Sequence, residues 1–141
     1  MNYFLLLLIL ILSVPVTAPA MAQEYVLLAD PFILLYDGVY YAYGTGAVNG
    51  IEVWTSRDLI SWERAQGGAR EGLALHRSDV WGEKWFWAPE VYRLNGRFYM
   101  YFSAEEHICV AVSDSPLGPF VQQEKKPMIA DEKCIDNTLF I

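Results

Sequence analysis

An internal repeat constrains this chain more than any other feature. Residues 31–43, PFILLYDGVYYAY, lie over residues 89–101, PEVYRLNGRFYMY, at an offset of 58 residues and without a gap. Each copy reads as a strand, a two-residue Asp-Gly or Asn-Gly turn and a second strand, because those dipeptides favour the type I′ turn that matches the twist of a β-hairpin. After a short loop the match resumes, with IEVWTS (51–56) over ICVAVS (108–113) as third strands. SRDLISWERA and SDSPLGPFVQQ then end alike, Trp62 over Phe120, as a turn and a short outer strand. Each unit therefore offers four short antiparallel strands, close in length to a propeller blade. Its inner strands are apolar on both faces, which suits a sheet covered on each side by a neighbour.

Between the units, Ala65 to Lys84 is rich in Gly and charge and reads as a long loop at one end of the blades. It runs into WGEKWFWAPE, which concentrates Trp81, Trp85, Phe86 and Trp87 just before the second unit's first strand. A third unit opens at IDNTLFI (135–141), and there the chain stops. An apolar strand without turn or partner is a sticky edge. The expectation is an N-terminal part of a longer protein, holding about two blades and the first strand of a third. Two open blades alone are expected to aggregate.

At the N-terminus, Leu5 to Ile11 is wholly apolar, and small residues and prolines lead to Ala20-Met21-Ala22. Residues 1–22 read as a secretory signal cut before Gln23, although no Lys or Arg precedes the apolar run. That run is too short to span a bilayer comfortably. The expected location is secreted or periplasmic, with residues 23–141 as the exported part.

The signal carries no charge, so the net charge of −7 belongs entirely to the exported part. Such acidity argues against nucleic acid and anionic membranes as partners, since both are gripped mainly through Lys and Arg. Neutral sugars remain open, and aromatic residues, 15% of the chain, suit their apolar C–H faces. Cys109 and Cys134 allow at most one internal disulfide, and two separate buried thiols are the other reading. With His76 and His107 the chain's only histidines, no zinc spacing is visible, and no metal or cofactor is expected. Both histidines read as surface or satisfied residues, and Glu105 and Glu106 as solvent-facing.

The repeat places Asp30, Ala88 and Asp136 at one structural position, just before the innermost strand of successive units. In a propeller such strands line the central channel, so Asp30 and Asp136 come near one another at one mouth. Pro31 is expected to hold Asp30 in extended backbone and to sit where a missing N–H is tolerated. Carboxylates gathered at a partly desolvated mouth can differ in pKa, since burial and like charge raise some while hydrogen bonds lower others. Glycoside hydrolysis uses that division between a base and an acid.

The chain resembles glycoside hydrolase family 43, five-bladed β-propeller enzymes acting on arabinan, xylan and their side chains. The resemblance rests on LADPFILLYDGVYYAYGT, GIEVWTSRDLISWERA, FWAPEVYRLNGRFYMYFSA, CVAVSDSPLGPF and IDNTLFI in that order, and it covers residues 25–141. It implies an all-β fold and hydrolysis with inversion. Asp30 corresponds to the general base that activates water, and Asp136 to the acid that tunes and orients the proton donor. The donor itself, a Glu in a later blade, is absent from these 141 residues, so this stretch alone is expected to be inactive. Many members read Ile-Asp-Pro where this chain has Ile135-Asp136-Asn137, which loosens the backbone at Asp136.

Trp87 and Glu90 are candidate substrate contacts. Trp87 could present a face to a sugar near Asp30, or simply pack between blades. Glu90 is a tempting proton donor, but its repeat partner is the strand residue Phe32, and a supporting hydrogen bond suits it better. The alternative function is a non-catalytic carbohydrate-binding propeller module. A third is another propeller glycosidase family, such as one acting on fructans. No calcium ligand set is visible.

Overall fold

The computed structural model describes residues 25–140, so the signal expected over 1–22 and its cut before Gln23 lie outside the described residues. Eight strands follow one another: β1 Ala29–Tyr36, β2 Val39–Thr45, β3 Gly50–Ser56, β4 Glu63–Arg64, β5 Leu75–His76, β6 Trp87–Leu94, β7 Arg97–Ala104 and β8 His107–Ser113. β1-β2-β3-β4 form one antiparallel meander, with β5 added beside β3, and β6-β7-β8 form a second.

The turns arise where the sequence demands them. Asp37 and Gly38 both have positive φ (49° and 71°), as do Asn95 and Gly96 (49° and 83°), which is the backbone of a type I′ turn. They set the registers Tyr36↔Val39 and Leu94↔Arg97. In the second sheet the expected outer strand shrinks to a single antiparallel bridge, Val112↔Val121. The expected first strand of a third unit is not formed among the described residues, for 133–140 have no strand pairing.

The two sheets pack face to face through aromatic contacts. Tyr36 meets Phe98 edge-on at 5.0 Å, Phe32 meets Tyr92 at 5.4 Å, and Tyr43 meets Phe120 at 6.3 Å. Each such pair adds about 0.5–1.5 kcal/mol to what area burial supplies. The Tyr43 hydroxyl, fully buried, donates to the Pro116 carbonyl across the interface. On the far side of β1, Ile33 and Leu35 stay exposed.

The stretch read as a long loop, Ala65 to Lys84, is a correction. It carries two short 3-10 turns, Arg70–Gly72 and Arg77–Asp79, as well as β5, and Leu73, Ala74, Leu75 and Val80 are buried in the core. Its backbone is paired as a strand's would be: Ala74 N–H donates to Ile51 O, and Ala74 O accepts from Phe120 N–H. The segment thus wedges the outer edges of the two sheets together. His76 is buried there, its Nδ1 accepting from Ser78 N–H at 3.1 Å.

Candidate active site

In both sheets the inner strand begins with a bulge. Between the pairs Ala29↔Thr45 and Phe32↔Tyr43, the two residues Asp30 and Pro31 face Gly44 alone. Ala88 and Pro89 stand in the same way opposite Phe102. A bulge leaves residues unpaired, so each proline's missing N–H breaks no ladder bond.

The expected extended backbone at Asp30 is corrected here. Asp30, Ala88 and Asp136 have φ of 47°, 43° and 60°. All three repeat-equivalent positions share the left-handed conformation, including Asp136, which no proline follows. The bulge outweighs the proline's preference, at a cost of about 1–3 kcal/mol per residue held in this region. Its effect is to re-aim the side chain that a regular strand would direct elsewhere.

The three positions meet in a cleft of about 280 Å3, lined by Asp30, Phe32, Ala88, Glu90, Asp136 and Asn137 together with both prolines. Asp30 and Asp136, 106 residues apart in the chain, are both exposed to it. Thr45 ties the two sheets together at this point. Its hydroxyl donates to Asp30 Oδ2 at 3.4 Å and accepts from Ala88 N–H at 3.0 Å.

Glu90 is engaged by a neighbour, for the Tyr92 hydroxyl donates to its Oε2 at 2.7 Å. Burial raises the Tyr92 pKa, and the Glu90 hydrogen bond adds to this, while Thr138 and the Leu139 backbone act the other way. The chain after Asp136 therefore lies against β6. Asn137 turns its amide inward, and neither Nδ2 nor Oδ1 has a partner among the described residues. Buried orphan donors and acceptors are uncommon and call for a partner.

Trp87 leads into the bulge and stacks on Trp85, with centroids 5.6 Å apart and planes at 18°. The pair lines a neighbouring cleft with Thr45 and Val48. Thr45 is not among the sequence candidates, and Trp85 and Asn137 stand in the quoted motifs without a site role. Thr45 ends the quoted β2 motif, but a hydroxyl there carries no signal until the second sheet is docked.

A larger cleft, about 450 Å3, lies at the opposite end of the first sheet around Tyr41, Ser56 and Asp58. Asp58 is committed there to its own turn, accepting from Ser61 N–H at 2.7 Å and Ile60 N–H at 2.8 Å. Glu105, expected to face water, accepts from Glu83 N–H at 3.1 Å, and Glu106 pairs with Lys133. Among the described residues no cluster of three or more His, Cys, Asp or Glu could hold a metal ion. Nor is any helix there long and apolar enough to cross a membrane.

Two packed antiparallel meanders, with Asp136 brought beside Asp30 of the first inner strand in one cleft, define part of a β-propeller built around an acidic cleft. The model of glycosyl hydrolases family 43 matches residues 19–141, and the chain belongs to that family. An endo-1,4-β-xylanase structure from Bacteroides thetaiotaomicron is 47% identical at a TM-score of 0.73, covering 81% of this chain and 38% of that one. An endo-arabinase structure from the same organism is 34% identical at a TM-score of 0.69, over 81% and 41%. A curated xylosidase/arabinosidase of Bacteroides ovatus is 30% identical over 118 residues, 72% of this chain and 36% of its own length. The chain thus spans about two-fifths or less of each of these relatives.

Proposed function

We propose that the protein is an exported glycoside hydrolase that cleaves arabinose- or xylose-containing plant polysaccharides or oligosaccharides with inversion. Asp30 is the general base, taking a proton from the attacking water. Asp136 sets the pKa and orientation of the proton donor. In inverting enzymes base and acid stand about 6.5–9.5 Å apart to admit that water. The single observation that carries this reading is that Asp30 and Asp136, on repeat-equivalent left-handed residues, open into one cleft.

Thr45 restrains Asp30 so that one carboxylate oxygen is occupied and the other is left for water. Glu90 serves as a hydrogen-bond acceptor oriented by Tyr92, not as the acid. The proton donor is a Glu outside these 141 residues, and the stretch by itself is inactive. Trp87 and Glu90 contact the sugar. Export agrees with the leader-like residues 1–22 and with the name of one relative, an extracellular exo-α-(1→5)-L-arabinofuranosidase of Cellvibrio japonicus, 27% identical over 79% of this chain and 31% of its own.

The test is turnover of arabinosyl and xylosyl substrates by the protein expressed from its full reading frame, with the product anomer followed by NMR. Asp30→Asn should fold normally and lose about 10²–10⁴-fold in kcat, the range a positioned base supplies. Normal rates in that variant would remove Asp30 from the mechanism. Sugar binding without turnover by the parent would make the protein a carbohydrate-binding module instead.

A further inference from the structure

The segment Trp85-Phe86-Trp87 divides its aromatic rings between two surroundings. Phe86 is buried and faces Phe102 at 6.3 Å, anchoring the segment to the core. Trp85 is 44% exposed, and its backbone sits at φ 62°, a conformation rare for a bulky side chain. Neither the exposure nor the strain is repaid by core packing. What the backbone achieves is to lay the Trp85 indole nearly parallel on Trp87, at 18°.

The stacked pair lines a cleft of about 310 Å3, faced by Thr45, Val48 and Lys84. In a chain of net charge −7 this cleft has no acidic residue in its wall among the described residues. Its one charge is Lys84, whose Nζ lies 4.1 Å from the Trp85 ring centroid and forms no ion pair among the described residues. The cleft neighbours that of Asp30 and Asp136. Thr45 lines it while hydrogen-bonding Asp30, and Trp87 adjoins Ala88. A chain of sugars seated over Asp30 and leaving in this direction must cross the indoles.

We propose that Trp85 is the platform of a second sugar subsite, holding the neutral sugar unit next to the one bound at Asp30. This rests on the reading of the protein as a glycoside hydrolase. The Trp85 face that Lys84 now covers matches the apolar C–H face of a sugar ring, and the Lys84 ammonium, displaced to the rim by the sugar, supplies donors to its hydroxyls. Trp85 acts on which substrates are held, not on the bond-breaking step.

The experiment compares two substrates on the protein from its full reading frame. A pentosyl fluoride, whose leaving group is one atom, reaches only the Asp30 cleft, whereas a pentose tetrasaccharide also fills the Trp85 cleft. Trp85→Ala should raise KM for the tetrasaccharide about tenfold, equivalent to about 1.4 kcal/mol, and leave KM for the fluoride within about twofold. Trp85→Phe, which keeps an aromatic face, should recover most of the loss. Equal effects on both substrates, or no effect on either, would overturn the subsite while leaving the hydrolase reading intact. A parent protein inactive on both substrates would overturn the hydrolase reading, and the subsite with it.

Discussion

The hydroxyl of Thr45, at the end of β2, accepts a 3.0 Å hydrogen bond from the backbone N–H of Ala88 in the second sheet. Its proton points to Asp30 Oδ2 at 3.4 Å. One small side chain thus joins two sheets and restrains the candidate base. Thr45→Val keeps the shape and removes both bonds, leaving the Ala88 N–H without its partner. Because Ala88 is only partly buried, the expected loss is about 1 kcal/mol, the low end for an orphaned donor. Denaturant unfolding measures it, with Thr45→Ser expected to stay near the parent. A variant as stable as the parent would show that the bridge adds nothing.

The turn between β3 and β4 is expected to respond to acid through Asp58. Its carboxyl is held at about 2, first by the N–H of Ser61, then by that of Ile60, against the opposing effect of burial and with the Ser56 hydroxyl assisting. The folded value lies below the ordinary 3.8, so the carboxylate's contribution is complete above about pH 4 and is lost as pH falls through about 2. Asp58→Asn should therefore flatten the fall in melting temperature between those limits. Melts over that acid range give the slope directly, and an unchanged slope would count against the assignment.

The two thiols should differ in reactivity. Cys109 is buried in β8, and burial first, then the nearby Cys134, pushes its pKa up to about 12. A thiol at neutral pH with that value is uncharged and a poor nucleophile. Cys134 is only partly covered. In reduced, folded protein, titration with a disulfide reagent at about pH 8 should give one fast equivalent, the second appearing only on unfolding. Two fast equivalents would mean that β8 opens readily.

The hairpins were legible because Asp37-Gly38 and Asn95-Gly96 need nothing but local backbone freedom to turn. The repeat made the equivalence of Asp30, Ala88 and Asp136 legible as well, and with it the meeting of two distant acids. The wedge was not legible. Leu73, Ala74 and Leu75 lie among glycines and charges, and a short run has no period from which to read its burial. Nor was the left-handed backbone at Asp30, since the residues before a proline ordinarily extend and only the paired strand opposite forces the bulge.

By itself, then, the order of residues determined the local geometry: two copies of a hairpin and third strand, and an acid at the head of a unit. Tertiary structure alone decided the direction in which those acids point, the bridging of Thr45 to Ala88 and the stacking of Trp85 on Trp87. The physical reason is range. A turn is settled by the torsions of two residues, whereas a bulge, a cross-sheet hydrogen bond or an exposed indole pair exists only once a second sheet has docked and bears part of the energetic cost.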